Sequence, residues 1–194
     1  MKHNALEHAN GRLERARKAL DALKTAQANW DGKEAETHWS AFLIAASGIY
    51  SKLEQGAKGN GKSEAWYGRV KHKRKNDELL SYIHHARNSD EHSLELVSEH
   101  HSGITVVPIP PYAWTENGTL QVSRNTPVGT QIAQALPPGL RLLPVSDNRY
   151  KDTFPVPRTH LNQPIIGIEP VTVAIAALAY LEKLAGQAVK FLEK

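Results

Sequence analysis

Apolar residues recur three and four positions apart over several stretches of the chain, the period of a helix with one face in a core. Leu6, Ala9, Leu13, Ala16, Leu20 and Leu23 mark a first helix over residues 3–29. Asp31-Gly32 ends it, and Asp31 with Glu34 three residues on has the form of a capping box for a second helix. That helix carries Trp39, Phe42, Leu43, Ala46, Ile49, Tyr50 and Leu53 on one face and stops at Gly56. Two long helices joined so closely predict an antiparallel hairpin. Ser63 is placed to cap a short third helix with Trp66, Tyr67 and Val70 as its apolar contacts. Asn76 then opens a fourth helix that runs to Ser102-Gly103, about 25 residues or about 37 Å. Pro170 suits the first turn of a last helix, whose stripe is Ala174, Leu178, Leu181, Ala185, Ala188 and Leu192.

Between the fourth and last helices the pattern changes. All eleven prolines lie from Pro108 to Pro170, and proline is incompatible with helix interiors. Ile104 to Val107 reads as a strand, Tyr112 to Val122 as a hairpin around Asn117-Gly118, and Leu140 to Val145 as a further strand. A β-subdomain, a dimerisation arm and a lid all fit this composition. The fold class expected is mainly α, an antiparallel bundle of about five helices. Residues 1–102 form the bundle, 103–169 a proline-rich β/loop insertion, and 170–194 a helix returning to the bundle.

The apolar stripe of the fourth helix runs Leu79, Ile83, Ala86, Asp90, Leu94 and Val97, so an acid falls where a hydrophobic residue is due. A carboxylate in that register needs a partner. Around it lie Tyr82-Ile83-His84-His85-Ala86-Arg87-Asn88-Ser89-Asp90-Glu91-His92. Arg87, a polar Asn88 directly after it and His92 four intervening residues on, all on a bundle helix, resemble the motif of the HEPN superfamily (higher eukaryotes and prokaryotes nucleotide-binding domains). The resemblance covers the helical half to two thirds of the chain.

The resemblance implies a metal-independent endoribonuclease, of the toxin or phage-defence kind, with no cofactor and RNA as partner. His92 is then the general acid or base at the ribose 2′-hydroxyl and Arg87 holds the phosphate, roles that suit an imidazole and a guanidinium. Asn88 orients the histidine, and Asp90 anchors Arg87 or a basic group of a facing chain. Arg87 and His92 lie about 140° apart around one helix, so one straight helix does not aim both at one phosphate. A homodimer that joins residues of two chains, the arrangement usual in the family, removes that conflict. Family members silenced by a nucleotidyltransferase partner carry a Tyr two residues after the His, where this chain has Leu94. The rival reading is a non-catalytic HEPN-like module whose polar cluster binds nucleotide or RNA, or fixes a dimer. An enzyme requires Arg87 and His92 at an open cleft; the rival requires the cluster closed by ion pairs. A helical interaction protein working through its β-insertion is the third reading.

Composition changes the picture in few places. A net charge of +4 permits a nucleic-acid partner, and Lys71, Lys73, Arg74 and Lys75 next to the motif helix are the candidate contacts to a phosphate backbone. The chain has no cysteine, which excludes thiolate chemistry and disulfides. With no apolar run of membrane-spanning length and a polar start, the expectation is a cytoplasmic protein without a membrane partner. Gly56 to Ser63 spells the P-loop pattern, but it follows a helical period where a P-loop needs a strand, so it reads as an interhelical loop. The ten histidines include no i, i+4 pair with a placed carboxylate, and no metal site is expected. Trp30, Trp39 and Trp66 sit at apolar helical positions and read as core, whereas Trp114 reads as a surface contact.

Overall fold

A computed structural model of the chain describes residues 1–92, 96–101, 104–108, 112–114, 120–122, 131–135, 139–147, 152–167 and 169–192, with the side chains of His92, of residues 101–135 and of residue 147 outside that description. Helices α1 (His3–Ala28) and α2 (Gly32–Ala57) form the expected antiparallel hairpin. Asp31 caps α2 by accepting from the Glu34 N–H at 3.0 Å. Gly32 has a packing reason as well: a Cβ there would run into the His100 imidazole, which lies against the start of α2 and meets Glu36 Oε2 at 3.0 Å. Trp30, in the left-handed region at φ 60°, is 51% exposed, contrary to its core assignment. A residue that must turn the chain between two helices cannot also present its ring to their interface.

Helix α3 (Gly61–Asn76) is capped by Asn60, whose Oδ1 accepts from Lys62 and Ser63 N–H, and not by Ser63, which is buried inside the first turn. Helix α4 (Glu78–His92) is 15 residues long, shorter than the expected span. Strand β1 (Ser98–His101) occupies what the apolar period assigned to helix, and Leu94, Ser102 and Gly103 lie outside the described residues. Val97, directly before β1, is buried all the same, and its carbonyl accepts from Leu143 N–H at 3.1 Å.

The remaining strands are β2 (Ile104–Pro108), β3 (Tyr112–Trp114), β4 (Leu120–Val122), β5 (Gln131–Ala135), β6 (Gly139–Leu142), β7 (Val145–Asp147), β8 (Asp152–Phe154), β9 (Thr159–His160) and β10 (Gln163–Pro164). They pair antiparallel as β1–β6, β2–β5, β3–β4, β7–β8 and β9–β10. The β3–β4 pair flanks the Asn117-Gly118 turn, which itself is outside the described residues. Helix α5 (Pro170–Ala188) then returns to the bundle and contacts α1, α2 and α4, which completes a mainly helical bundle. With the 3-10 turn Val189–Phe191 it is long and apolar enough to cross a bilayer, and it is used here as a core helix through Val173, Leu181 and Leu184. The core is continuous from Leu13 and Leu23 of α1 through Trp39, Phe42 and Leu53 of α2, Leu79 of α4 and Val173 of α5. Leu140, Leu142 and Val145 join it, so the end of the proline-rich segment is packed on the bundle.

Two consecutive carboxylates join α4 to that segment. Asp77, rather than the expected Asn76, caps α4: its Oδ1 accepts from Leu80 N–H at 3.0 Å, and its Oδ2 accepts from Leu161 N–H at 2.7 Å. His160 Nδ1 lies 2.9 Å from Asp77 Oδ1, and Glu78 Oε2 accepts from Arg158 and Thr159 N–H at 3.1 and 3.0 Å. They hold the β9–β10 turn, where Leu161 (φ 49°) and Asn162 (φ 63°) are both left-handed. That is the φ pattern of a two-residue hairpin turn, easy for Asn and costly for Leu, and the Asp77 bond fixes the Leu161 backbone in it. Burial pushes the Asp77 carboxyl up, and the Leu161 N–H, His160 and the Leu80 N–H outweigh it and hold the group below the usual carboxylate range.

A depressed folded-state pKa gives stability that is present above the unfolded value and lost as pH falls through the folded one. Asp77→Asn should therefore lower the unfolding free energy at pH 7 by about 2 kcal/mol, the size of a lost charged hydrogen-bond set. In urea titrations the gap to the native protein should narrow once pH drops below about 4, where the unfolded Asp protonates.

Candidate functional site

No residue of α4 from Leu79 to Asp90 is exposed, although seven of them, Ser81, His84, His85, Arg87, Asn88, Ser89 and Asp90, are polar or charged. Around the helix they divide into three strips. Leu79, Ile83, Ala86 and Asp90 fall within about 60° and face the core. Tyr82 and Ser89, on one flank, are tied to the β6–β7 region: the Tyr82 hydroxyl donates to the Leu143 carbonyl at 2.8 Å and Ser89 Oγ donates to the Ser146 carbonyl at 3.2 Å. His85 stacks on Phe154 of β8 with ring centroids 3.6 Å apart. The other flank is a strip of half-buried His84, Arg87 and Asn88 with Glu91 at its exposed end, at i, i+3, i+4, i+7 spacing.

Asp90 occupies the core-facing position, and its partner is Ser40 of α2, whose hydroxyl donates to Oδ1 at 3.1 Å. Burial raises the Asp90 carboxyl above its ordinary range; the Ser40 bond opposes that, and the nearby charges of Glu91 and Glu36 add to it. The expected anchoring of Arg87 by Asp90 is absent among the described contacts. Arg87 instead pairs through Nη2 with Glu91 and donates from Nη1 to Asn88 Oδ1 at 3.2 Å, with both ion-pair side chains 27% exposed. Glu91 is one turn on from Arg87, about 40° around the helix, which makes it the natural partner by geometry. Arg87 Nε is buried and has no hydrogen-bond partner among the described residues. The backbone of His92 ends the helix, and its side chain lies outside the described residues, so the spacing of Arg87 and His92 rests on their positions along α4 alone.

The four candidate phosphate contacts differ in what engages them. Lys71 is tied to Glu54 at 2.8 Å, and Arg74 lies over the Tyr50 ring, 4.9 Å from its centroid. Lys73 and Lys75 are exposed. A cleft of about 300 Å³ between the end of α2 and α3 is lined by Glu54, Lys58, Glu64, Tyr67 and Lys71, with no residue of α4 in its lining. The P-loop-like segment joins α2 to α3, and its donors are used within the loop. Gly59 N–H goes to Glu64 Oε1 at 2.8 Å, Lys62 and Ser63 N–H go to Asn60, and Ser63 Oγ donates to Ala57 and Asn60 carbonyls. A phosphate there would find those donors occupied. Among the described residues no group of three His, Asp or Glu side chains is placed to hold a metal.

Sequence reasoning missed the Asp77–His160 pair, 16% and 6% exposed at its His and Asp side chains, and the Ser40–Asp90 bond. An unpaired core-stripe acid signals that Asp90 has a partner somewhere; no local spacing links positions 83 residues apart. No family model matches the chain, and no curated protein or solved structure is similar to it.

A raised folded-state pKa means that the Asp90 charge costs stability as pH rises through the unfolded and folded values, and that the cost vanishes below both. Asp90→Asn, which keeps an oxygen for Ser40, should leave stability at pH 7 unchanged or higher. Asp90→Ala, which strands the Ser40 hydroxyl, should lower it by about 1 kcal/mol in the same urea titration.

Proposed function

We propose that this chain is an HEPN-like protein that engages RNA, and that the α4 cluster serves it as a binding and dimer-fixing network. The observation that carries this reading is the state of Arg87, whose guanidinium is already taken by Glu91 and Asn88 on its own helix. A phosphate must displace a carboxylate to reach it. Asp90 is likewise engaged by Ser40. A polar strip along the second half of α4 is suited to facing a second copy, where an unsatisfied group such as Arg87 Nε finds a partner.

Metal-independent endoribonuclease activity, of the toxin or phage-defence kind, is the second reading. It is favoured by that same unpaired Nε, a donor that a phosphate oxygen could take once the guanidinium turns out of its Glu91 pairing, and by the resemblance of Arg87, Asn88 and His92 to the family motif. It requires a composite site in which His92 of a second copy approaches Arg87.

The two are separated by incubating mixed-sequence single-stranded RNA with the protein in EDTA while following binding and oligomeric state. The proposal expects RNA binding and a dimer in sedimentation, no cleavage, and a dimer weakened at least about tenfold by Arg87→Ala. Cleavage that survives chelation and drops about 10²-fold or more in His92→Ala or Arg87→Ala, at native-like stability, establishes the ribonuclease instead.

A further inference from the structure

We infer that the outer face of α3 is a track for the phosphates of single-stranded RNA, formed by Lys62, Arg69, His72 and Lys73. This deepens the reading that the protein engages RNA and rests on it. Helix α3 carries six Lys or Arg and a single Glu along its 16 residues. Its wheel sorts them: Ser63, Trp66, Tyr67 and Val70 are buried on one side, and Lys71 and Arg74 are drawn to α2 by Glu54 and the Tyr50 ring. Lys62, Arg69, His72 and Lys73 are exposed, and their side chains have no ion pair or hydrogen bond among the described residues.

These four fall within an arc of about 100° and along about 16 Å of helix axis, with Arg69 and Lys73 about 6 Å apart, close to the spacing of successive phosphates in an extended strand. The single acid, Glu64, lies on a different side and is held by the Gly59 N–H. Helix stability does not account for this charge. Cations in the last turn, Lys73 and Lys75 among them, favour the dipole, but Lys62 is in the first turn, where a cation opposes it, and Arg69 is in the middle. A face of unpaired cations with no acid among them complements a polyanion. The occupant is a single strand because the face is convex and follows one helix, so a flexible backbone can drape along it.

The test is fluorescence anisotropy with a short labelled single-stranded RNA of mixed sequence, over a range of salt. The Lys62→Glu, Arg69→Glu, Lys73→Glu triple should bind at least about tenfold more weakly, and its salt slope should be smaller by about 2, three cations at 0.7 each. A control triple with the same charge change, Arg15→Glu, Lys18→Glu, Lys183→Glu, on exposed positions of α1 and α5, should lose less than about threefold. The Gln versions of the track triple, at an unchanged denaturation midpoint, should show an intermediate loss. Equal losses in both triples, or no loss in the track triple, overturn the track and leave the RNA reading standing. Tighter binding to duplex DNA than to the single strand overturns the assigned occupant. If the native protein binds no RNA, the RNA reading falls and the track with it.

Discussion

The enclosure of α4 is the constraint on which the rest of this structure depends. From Leu79 to Asp90 every residue is buried or half-buried, so the polar groups that this helix buries need partners, some on its own turns and some on other parts of the chain. Its core face is met by α2 through Ser40, one flank by the 143–154 segment, and its N-terminus by the β9–β10 hairpin. Interior polar contacts of this kind contribute about 1 kcal/mol each when made and cost more when broken, so they fix one arrangement rather than add much stability. The proline-rich segment is thereby bound to one flank and to the N-terminus of the same helix.

The His84, Arg87, Asn88 and Glu91 strip is where that enclosure stops short of full burial. Within it Arg87 bridges to Glu91 and Asn88 along the helix, while Arg87 Nε has no described partner. In the proposed reading, a second copy or an RNA phosphate that reaches the Arg87 Nη groups competes with the Glu91 and Asn88 bonds. Helix α3 divides its charge differently: Lys71 and Arg74 are spent on packing against α2, and the outer cations are left to solvent.

Much of the bundle was legible because its helices bury a single stripe. The α1–α2 hairpin, the Asp31 cap and the α5 start at Pro170 follow from spacing and capping chemistry read locally. The end of α4 was not legible, because Val97 continues the helical apolar spacing and yet is buried in the segment that leads into β1. The α4 cap was displaced by one residue for a long-range reason: Asp77 also binds Leu161 and His160, and only the fold brings these to it. Asp90 was recognisable as an acid on the core stripe, yet its partner Ser40 sits on another helix with no sequence signal. Arg87 was recognisable from its motif, and its pairing with Glu91 rather than Asp90 follows from one turn of helix geometry.

The central claim is that Arg87 and Glu91 are coupled in the resting chain. A double-mutant cycle with Arg87→Ala, Glu91→Ala and the double variant, read by urea unfolding at pH 7, measures that coupling directly. The account predicts a favourable interaction energy of about 0.5 kcal/mol or more for this half-buried pair. An interaction energy indistinguishable from zero would contradict it, leaving Arg87 unclaimed by its own helix and open to a ligand.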